Sequence, residues 1–291
     1  MKPPSQKLSK KISSPKDSHY AKLRRNHRKR KNFVQTLGKI QNVHHQSSPQ
    51  DDTLFLYGLH TVCAALNNPQ RKIFQLLATR NALTRLNETI SIPLSFPTKI
   101  VLPQEIDRLV GNQSVHQGIA LETLPLPPQT LDAIQKSKLL IILDQVNDPH
   151  NIGAILRSAA AFCCDGIITT QRYSPNESAV LAKSASGALE HVPYIQISNL
   201  ANALQEIHSL GFQTIGLSSD SPEPLEKIIQ NDKIALILGS EGKGLRQKTK
   251  KITTSMAHLN MPGAIKSLNV SNAAAIALYI TKSISQPNTL A

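Results

Sequence analysis

Three polar loops hold the side chains whose types and spacing could do chemistry. The last runs from Asn260 to Ala275 and places Ser267, Asn269, Ser271 and Asn272 just ahead of an Ala/Ile/Leu helix. All four are good helix caps, yet a helix end needs only one. The surplus marks either a site for a polar ligand or an over-provisioned cap. A second loop, Gly239-Ser240-Glu241-Gly242-Lys243-Gly244, follows an apolar run. Its alternating glycines permit positive φ and close backbone approach to a ligand, with Glu241 set among them. The spacing is not that of a phosphate-binding GxxxxGK[ST] loop, and no GxGxxG follows the first strand of that half, which argues against a classical dinucleotide site. The first loop, Asp144 to Arg157, leads into a helix whose Ile152, Ile155, Leu156, Ala159 and Cys163 form one apolar stripe. Arg157 lies off that stripe among Gly153, Ala154, Ala160 and Ala161, so a ligand or another backbone can approach its guanidinium closely.

These loops need a scaffold, and the pattern supplies one. From Lys138 on, apolar strands alternate with helices: strands at 138–144, 166–170, 194–197, 212–217 and 233–238, helices at 151–162, 179–189 and 200–210. Continuous apolar strands of this kind predict a parallel sheet covered on both faces, with ligands at the carboxyl ends of its strands. Ahead of it, Thr53 to Leu124 reads as a small α/β domain, with strands near 54–57, 72–78, 100–101 and 119–121 and helices near 59–66 and 81–89. Leu124-Pro125-Leu126-Pro127-Pro128 reads as a stiff, extended linker over 125–137. Residues 1–52 are rich in Lys, Ser, Pro, Gln and His, a composition that predicts disorder.

Charge and cysteine bound the partners. The chain has 291 residues and a net charge of +14. Residues 1–50 hold 13 Lys and Arg against Asp17 alone, and the rest is near neutral. Such a tail attracts polyanions without sequence preference; an RNA-binding arm is the preferred reading over a targeting segment or a solvated leader. No apolar run reaches the ~20 residues of a membrane span, so a soluble protein with no membrane partner is expected. Cys63, Cys163 and Cys164 show no metal-ligand spacing, and Asp144 and Asp148 have no ligand constellation, so no metal is expected. Cys163 and Cys164 read as small core residues. His116 and His150 are acid–base candidates by type, but read better as packing or capping groups.

Taken together, Asn151-x-Gly153-x-x-x-Arg157, then Leu238 to Gly244, then Ser267-Leu268-Asn269-Val270-Ser271 resemble motifs one, two and three of the SpoU/TrmH family over about 139–285. Its members are S-adenosylmethionine-dependent RNA ribose 2′-O-methyltransferases. Tyr57-Gly58-Leu59-His60-x-Val62 and Val115 to Ala120 are similar to that family's small substrate-binding domain of ribosomal-protein L30e type. The layout resembles the bacterial 23S rRNA guanosine-2′-O-methyltransferase branch. One departure is Leu259-Asn260-Met261, where Ile-Pro-Met is usual.

The resemblance implies an α/β protein with a trefoil-knotted parallel-sheet methyltransferase domain over 138–291, an L30e-like domain over 53–124 and a disordered basic tail. It implies a cytoplasmic homodimer with the active site near the subunit interface, acting on 23S rRNA or a large-subunit precursor. By motif, Gly239, Leu259 and Leu268 contact S-adenosylmethionine. Arg157 is the catalytic arginine, and Asn151, Glu241, Ser267 and Asn269 fix it, the ribose and the loops. A guanidinium stays protonated, so an electrostatic role for Arg157 is expected rather than that of a general base. The rivals are a tRNA ribose methyltransferase, a knotted enzyme acting on a base nitrogen, and a non-catalytic ribosome-assembly factor.

Overall fold

The computed structural model describes residues 53–90 and 95–285; the basic tail of the sequence reading lies outside the described residues. Asp52–Ala291 forms one compact unit. Its front part is a four-stranded sheet of β1 (Leu54–Tyr57), β2 (Ile73–Ala78), β3 (Thr98–Ile100) and β4 (Ile119–Thr123), ordered β1-β4-β2-β3. The helices α1 (Leu59–Asn67), α2 (Arg80–Thr89) and α3 (Pro103–Val110) pack with it. The helix α3 was not expected from the sequence, because Ile106 is its one buried residue.

The back part is a six-stranded sheet in which every pairing is parallel. Its strands are β5 (Leu139–Asp144), β6 (Gly166–Thr170), β7 (Tyr194–Ile197), β8 (Gln213–Leu217), β9 (Ile234–Gly239) and β10 (Ser255–Ala257), in the order β10-β8-β9-β5-β6-β7. The sixth strand, β10, is three residues long and escaped the sequence reading. All six residues of β5 are buried, and they alternate between two cores. Leu139, Ile141 and Leu143 pack with Ile152, Ile155 and Leu156 of α4 (Pro149–Ala161), with α5 (Ala179–Ala185) and with α9 (Val270–Ser285). Leu140 and Ile142 pack on the other face with Leu204 and Ile207 of α6 (Leu200–Ser209). Covered on both faces, such a strand reads as an unbroken apolar run. Two short helices, α7 (Leu225–Ile228) and α8 (Gln247–Ile252), complete this part.

Three details depart from the sequence reading. The helix expected over 179–189 stops at Ala185, where Ser186 and Gly187 both take positive φ, and resumes as a 3₁₀ turn at Ala188–Glu190. Cys164 is buried as expected, but Cys163 is exposed, with φ 50° at the end of α4. The small residues of α4 also serve packing inside the chain. A Cβ on Gly153 would lie 2.4 Å from Ser184 Cβ and 2.9 Å from the Ala185 nitrogen, so glycine lets α4 and α5 cross closely.

The two parts share a core. Leu56, Leu76 and Leu121 of the front sheet belong to the same buried cluster as Leu181 and Leu189. Residues 125–137 are tied down as well: Leu126 N–H donates to Glu177 Oε2 at 2.7 Å, and Ile134 is fully buried. Arg71 lies across the junction with its side chain wholly buried. It donates to Glu177 Oε1 at 2.6 Å, to the Leu124 carbonyl at 3.0 Å and to both carboxylate oxygens of Glu190.

Candidate functional site

In the strand order, β5 is flanked by β6 on one side and β9 on the other, so the chain changes direction across the sheet at β5/β9. Open parallel sheets bind ligands at the carboxyl ends of strands at such a switch point. Asp144, the last residue of β5, is fully buried. Its carboxylate accepts from Arg246 Nε at 2.6 Å, Arg246 N–H at 3.1 Å and Thr249 Oγ1 at 2.7 Å. This closes the loop after β9 against the end of β5. Gly239 then turns so tightly that a Cβ there would sit 2.2 Å from the carbonyl carbon of Gly244 and 2.4 Å from the Leu245 nitrogen. No other residue fits.

The loop delivers Glu241. Asn269 Nδ2 donates to Glu241 Oε1 at 2.9 Å and to Asn151 Oδ1 at 3.0 Å, and Asn151 Nδ2 donates to Glu241 Oε1 at 3.2 Å. Three residues from three loops, separated by 90 and 28 positions, thus form a closed triangle. Asn269 also caps α9, since its Oδ1 accepts from the Ser271 N–H at 2.9 Å and Ser271 Oγ at 2.6 Å. That use of the oxygen turns the amide nitrogen toward Glu241, so the surplus of polar side chains is resolved as one residue serving both helix and triangle.

Two clefts flank Glu241. One, of about 330 Å³, is walled by Leu217, Leu238, Gly239, Leu259, Ser267 and Leu268. The other, of about 370 Å³, is lined by Gln145, Asn147, Asp148, Asn151 and Tyr173. Ser240, Glu241, Lys243 and Val270 border both. Of the residues singled out from sequence, Gly239, Leu259, Ser267 and Leu268 therefore meet at one cleft, and Asn151 at the other. Arg157 joins neither: it is exposed on α4, lines neither cleft, and has no hydrogen-bond partner among the described residues.

The sequence of residues 138–279 matches the model of the SpoU rRNA methylase family, and residues 55–129 match that of the RNA 2′-O ribose methyltransferase substrate-binding domain. The chain is 34% identical over 231 residues to the 23S rRNA (guanosine-2′-O-)-methyltransferase RlmB of Ralstonia nicotianae, spanning 77% of this chain and 93% of that protein. It is 31% identical over 235 residues to the protein of the same name from Nitrosomonas europaea, spanning 78% and 90%. The chain belongs to the SpoU rRNA methylase family. The fold agrees: the SpoU methyltransferase AviRb from Streptomyces viridochromogenes, solved with AdoMet, superposes with a TM-score of 0.69 at 18% identity, covering 81% of this chain and 91% of that one.

Within the SpoU frame, several contributors were not visible in the sequence. Asp144 has no metal-ligand neighbours in the sequence, and its work as the buried acceptor that holds Arg246 and Thr249 has no local signature. Lys243, Lys250 and Lys266 also border the first cleft, and Lys266 Nζ donates to the Met261 carbonyl at 2.6 Å, folding the third loop back on itself. His116 and His150 stay outside both clefts. Gly118 N–H donates to His116 Nδ1 at 3.0 Å while His116 Nε2 faces Asp107 at 3.2 Å, and His150 Nδ1 contacts Ser184 Oγ at 3.1 Å. These are packing arrangements.

Proposed function

We propose that this protein uses S-adenosylmethionine to methylate the 2′-oxygen of a guanosine ribose in 23S rRNA. The observation that carries the reading is the Asn151–Glu241–Asn269 triangle standing between two clefts at the switch point of the sheet. The membership of the SpoU family and the RlmB relatives support the substrate class.

The first cleft suits the cofactor. Its leucine walls offer apolar contact to a flat purine, and its loop backbone and serines offer hydrogen bonds to polar ends. A volume near 330 Å³ lies within the ordinary range of ligand pockets, ~300–1,000 Å³. We assign Gly239, Leu259 and Leu268 to holding it. When bound there, it supplies a methyl group already activated by a sulfonium. The protein's task is then mainly alignment. Glu241, held by two amide donors, accepts the hydrogen bond of the ribose hydroxyl; Asn151 and Asn269 fix the carboxylate, and Ser267 borders the same opening. Arg157 contributes positive charge for the oxygen as it becomes alkoxide-like.

The finer architecture follows the same reading. Residues 53–124 form an L30e-type RNA platform ahead of the linker 125–137, residues 138–291 carry the trefoil knot, and residues 1–52 are a basic arm for RNA. The protein works in the cytoplasm as a homodimer. The crossing of three separate loops at one cleft supports the knot, and an exposed Arg157 outside its own chain's clefts supports the dimer.

Incubation with labelled S-adenosylmethionine and unmodified large-subunit rRNA, followed by mapping, tests the function. Label on one guanosine 2′-oxygen is the expected result. Label on tRNA would move the substrate, and label on a base nitrogen would overturn the chemistry. Gly239→Ala tests the cofactor assignment: overpacking of ~1–3 kcal/mol in the loop is expected to weaken S-adenosylmethionine binding about tenfold by titration calorimetry. An unchanged affinity in a folded variant would remove Gly239 from the cofactor cleft.

A further inference from the structure

A third cleft, of about 280 Å³, opens beside the second, beyond Tyr173. Its floor is Thr170, the last residue of β6, which is only 4% exposed. The Thr170 carbonyl closes the following turn by accepting from the Tyr173 and Ser174 N–H groups, each at 3.1 Å. Its hydroxyl has no such use. Thr170 Oγ1 is the one buried side-chain polar atom without a hydrogen-bond partner among the described residues. Buried hydroxyls are normally satisfied, and leaving one unpaired costs about 1–3 kcal/mol. The hydroxyl is closed off from the cleft as well, so the groups that can meet a ligand there are the charged ones around it.

The charge around it says which kind. Arg172, Arg246 and Lys248 line the cleft, and among the described residues no acidic side chain does. Arg246 turns only its Nε toward the buried Asp144 and keeps its side chain 39% exposed. The amino-terminal turn of α6, with Leu200 and Ala201, forms another wall. The positive end of this ten-residue helix favours an anion. Asn199 Oδ1 already accepts from the Ala201 and Asn202 N–H groups, so the cations carry the preference for an anion and the helix end adds to it.

Tyr173 links this cleft to the second one, since it borders both. The residue is 37% exposed, and the Arg172 guanidinium carbon lies 5.5 Å from its ring centroid. An exposed aromatic next to a basic groove is the usual surface on which a nucleic-acid base stacks. Ser174 Oγ donates to the Val146 carbonyl at 3.1 Å, so the loop bearing Tyr173 is fastened to the loop beside the triangle.

We propose that the third cleft is a phosphodiester subsite for the RNA strand flanking the target nucleotide, with Tyr173 as the stacking surface between subsite and methylation site. This rests on the RNA-methyltransferase reading and extends it by naming the residues that set the register of the strand. Phosphate contacts of this kind position a substrate without reading its bases.

The test is a salt titration of full-length protein binding an unmodified 23S rRNA transcript. Removing a cation that neutralises one phosphate lowers the slope of log affinity against log salt by roughly 1. Arg172→Gln combined with Lys248→Gln is expected to make the slope shallower by about 1 to 2 and binding about tenfold weaker at low salt. Lys136→Gln with Lys138→Gln, just before the amino end of β5 and so at the opposite end of the strands, should change both much less. Equal effects from the two charge-depleted pairs, or unchanged slope and affinity in the cleft variants, would overturn the subsite. Binding does not require turnover. A wild-type protein that binds RNA with these slopes but transfers no methyl would sink the functional reading and leave the subsite standing.

Discussion

Arg157→Ala is expected to bind S-adenosylmethionine normally and to lose methyl transfer by about two orders of magnitude or more. The guanidinium cannot give up its proton at working pH, so its value lies in charge and in a fixed fork of donors. In the proposed mechanism both serve an oxygen that gains negative charge as the methyl bond forms. Its position decides how it reaches that oxygen. Arg157 follows Asn151 by six positions on α4, which is ~9 Å along the axis and roughly a third of a turn around it. It is exposed and lines neither cleft of its own chain. In the proposed homodimer, packing through α4 would bring the same face to the partner's site, because a two-fold interface is self-complementary. Mixing is therefore informative. Arg157→Ala and Glu241→Ala chains, each inactive alone, should recover activity when co-assembled, because one site of the mixed dimer then has both groups. No recovery would place Arg157 at its own chain's site after a rearrangement. Near-normal turnover of Arg157→Ala alone would remove it from catalysis.

How far the sequence could lead depended on how local each signal was. The apolar runs of β5 and β9 and the stripe of α4 carry their own periodicity, and they placed the scaffold and the ends of its strands. The three polar loops were recognisable by composition, and the structure brings Asn151, Glu241 and Asn269 within hydrogen-bond distance. Short elements with little to bury were invisible: β10 has three residues, α8 is a lysine-rich six, and α3 buries only Ile106. The break at Ser186 and Gly187 was missed because the apolar spacing continues through it. Longer-range chemistry left no trace at all. Nothing near Thr170 announces an orphan hydroxyl, and nothing near Asp144 announces that residues 102 and 105 positions away will use its carboxylate. The proline-rich stretch suggested a spacer, and prolines do stiffen a chain. They do not prevent Leu126 and Ile134 from finding partners in the core.

Arg71 is the strongest case of such hidden chemistry, and its replacement is the second large effect expected. Its partners Glu177 and Glu190 lie 106 and 119 residues further on. Arg71→Ala leaves two carboxylates, 9% and 2% exposed, without their cation. Breaking a buried pair by removing one partner costs about 3–5 kcal/mol, a large share of the ~5–15 kcal/mol that holds a domain folded. The variant should melt far below the wild type, or fail to fold. Arg71→Ala combined with Glu177→Gln and Glu190→Gln should recover part of the loss, because no buried charge then remains unpaired. The pH dependence carries a sign. Burial pushes the Glu177 carboxyl above its ordinary 4.5, while the charge and hydrogen bond of Arg71 pull it down. A carboxyl raised in the folded state favours folding fully below its unfolded pKa and loses that contribution as pH rises through the folded one. Without Arg71 the upward push is less opposed, so the deficit of Arg71→Ala should be smallest near the ordinary carboxyl value of 4.5 and widen toward neutrality. A deficit that is constant across that window, or wider on the acid side, would mean that Arg71 acts through packing of its side chain rather than through its charge. Because the same arginine joins the front sheet to the part that carries the clefts, any folded variant should also lose RNA affinity before it loses cofactor affinity.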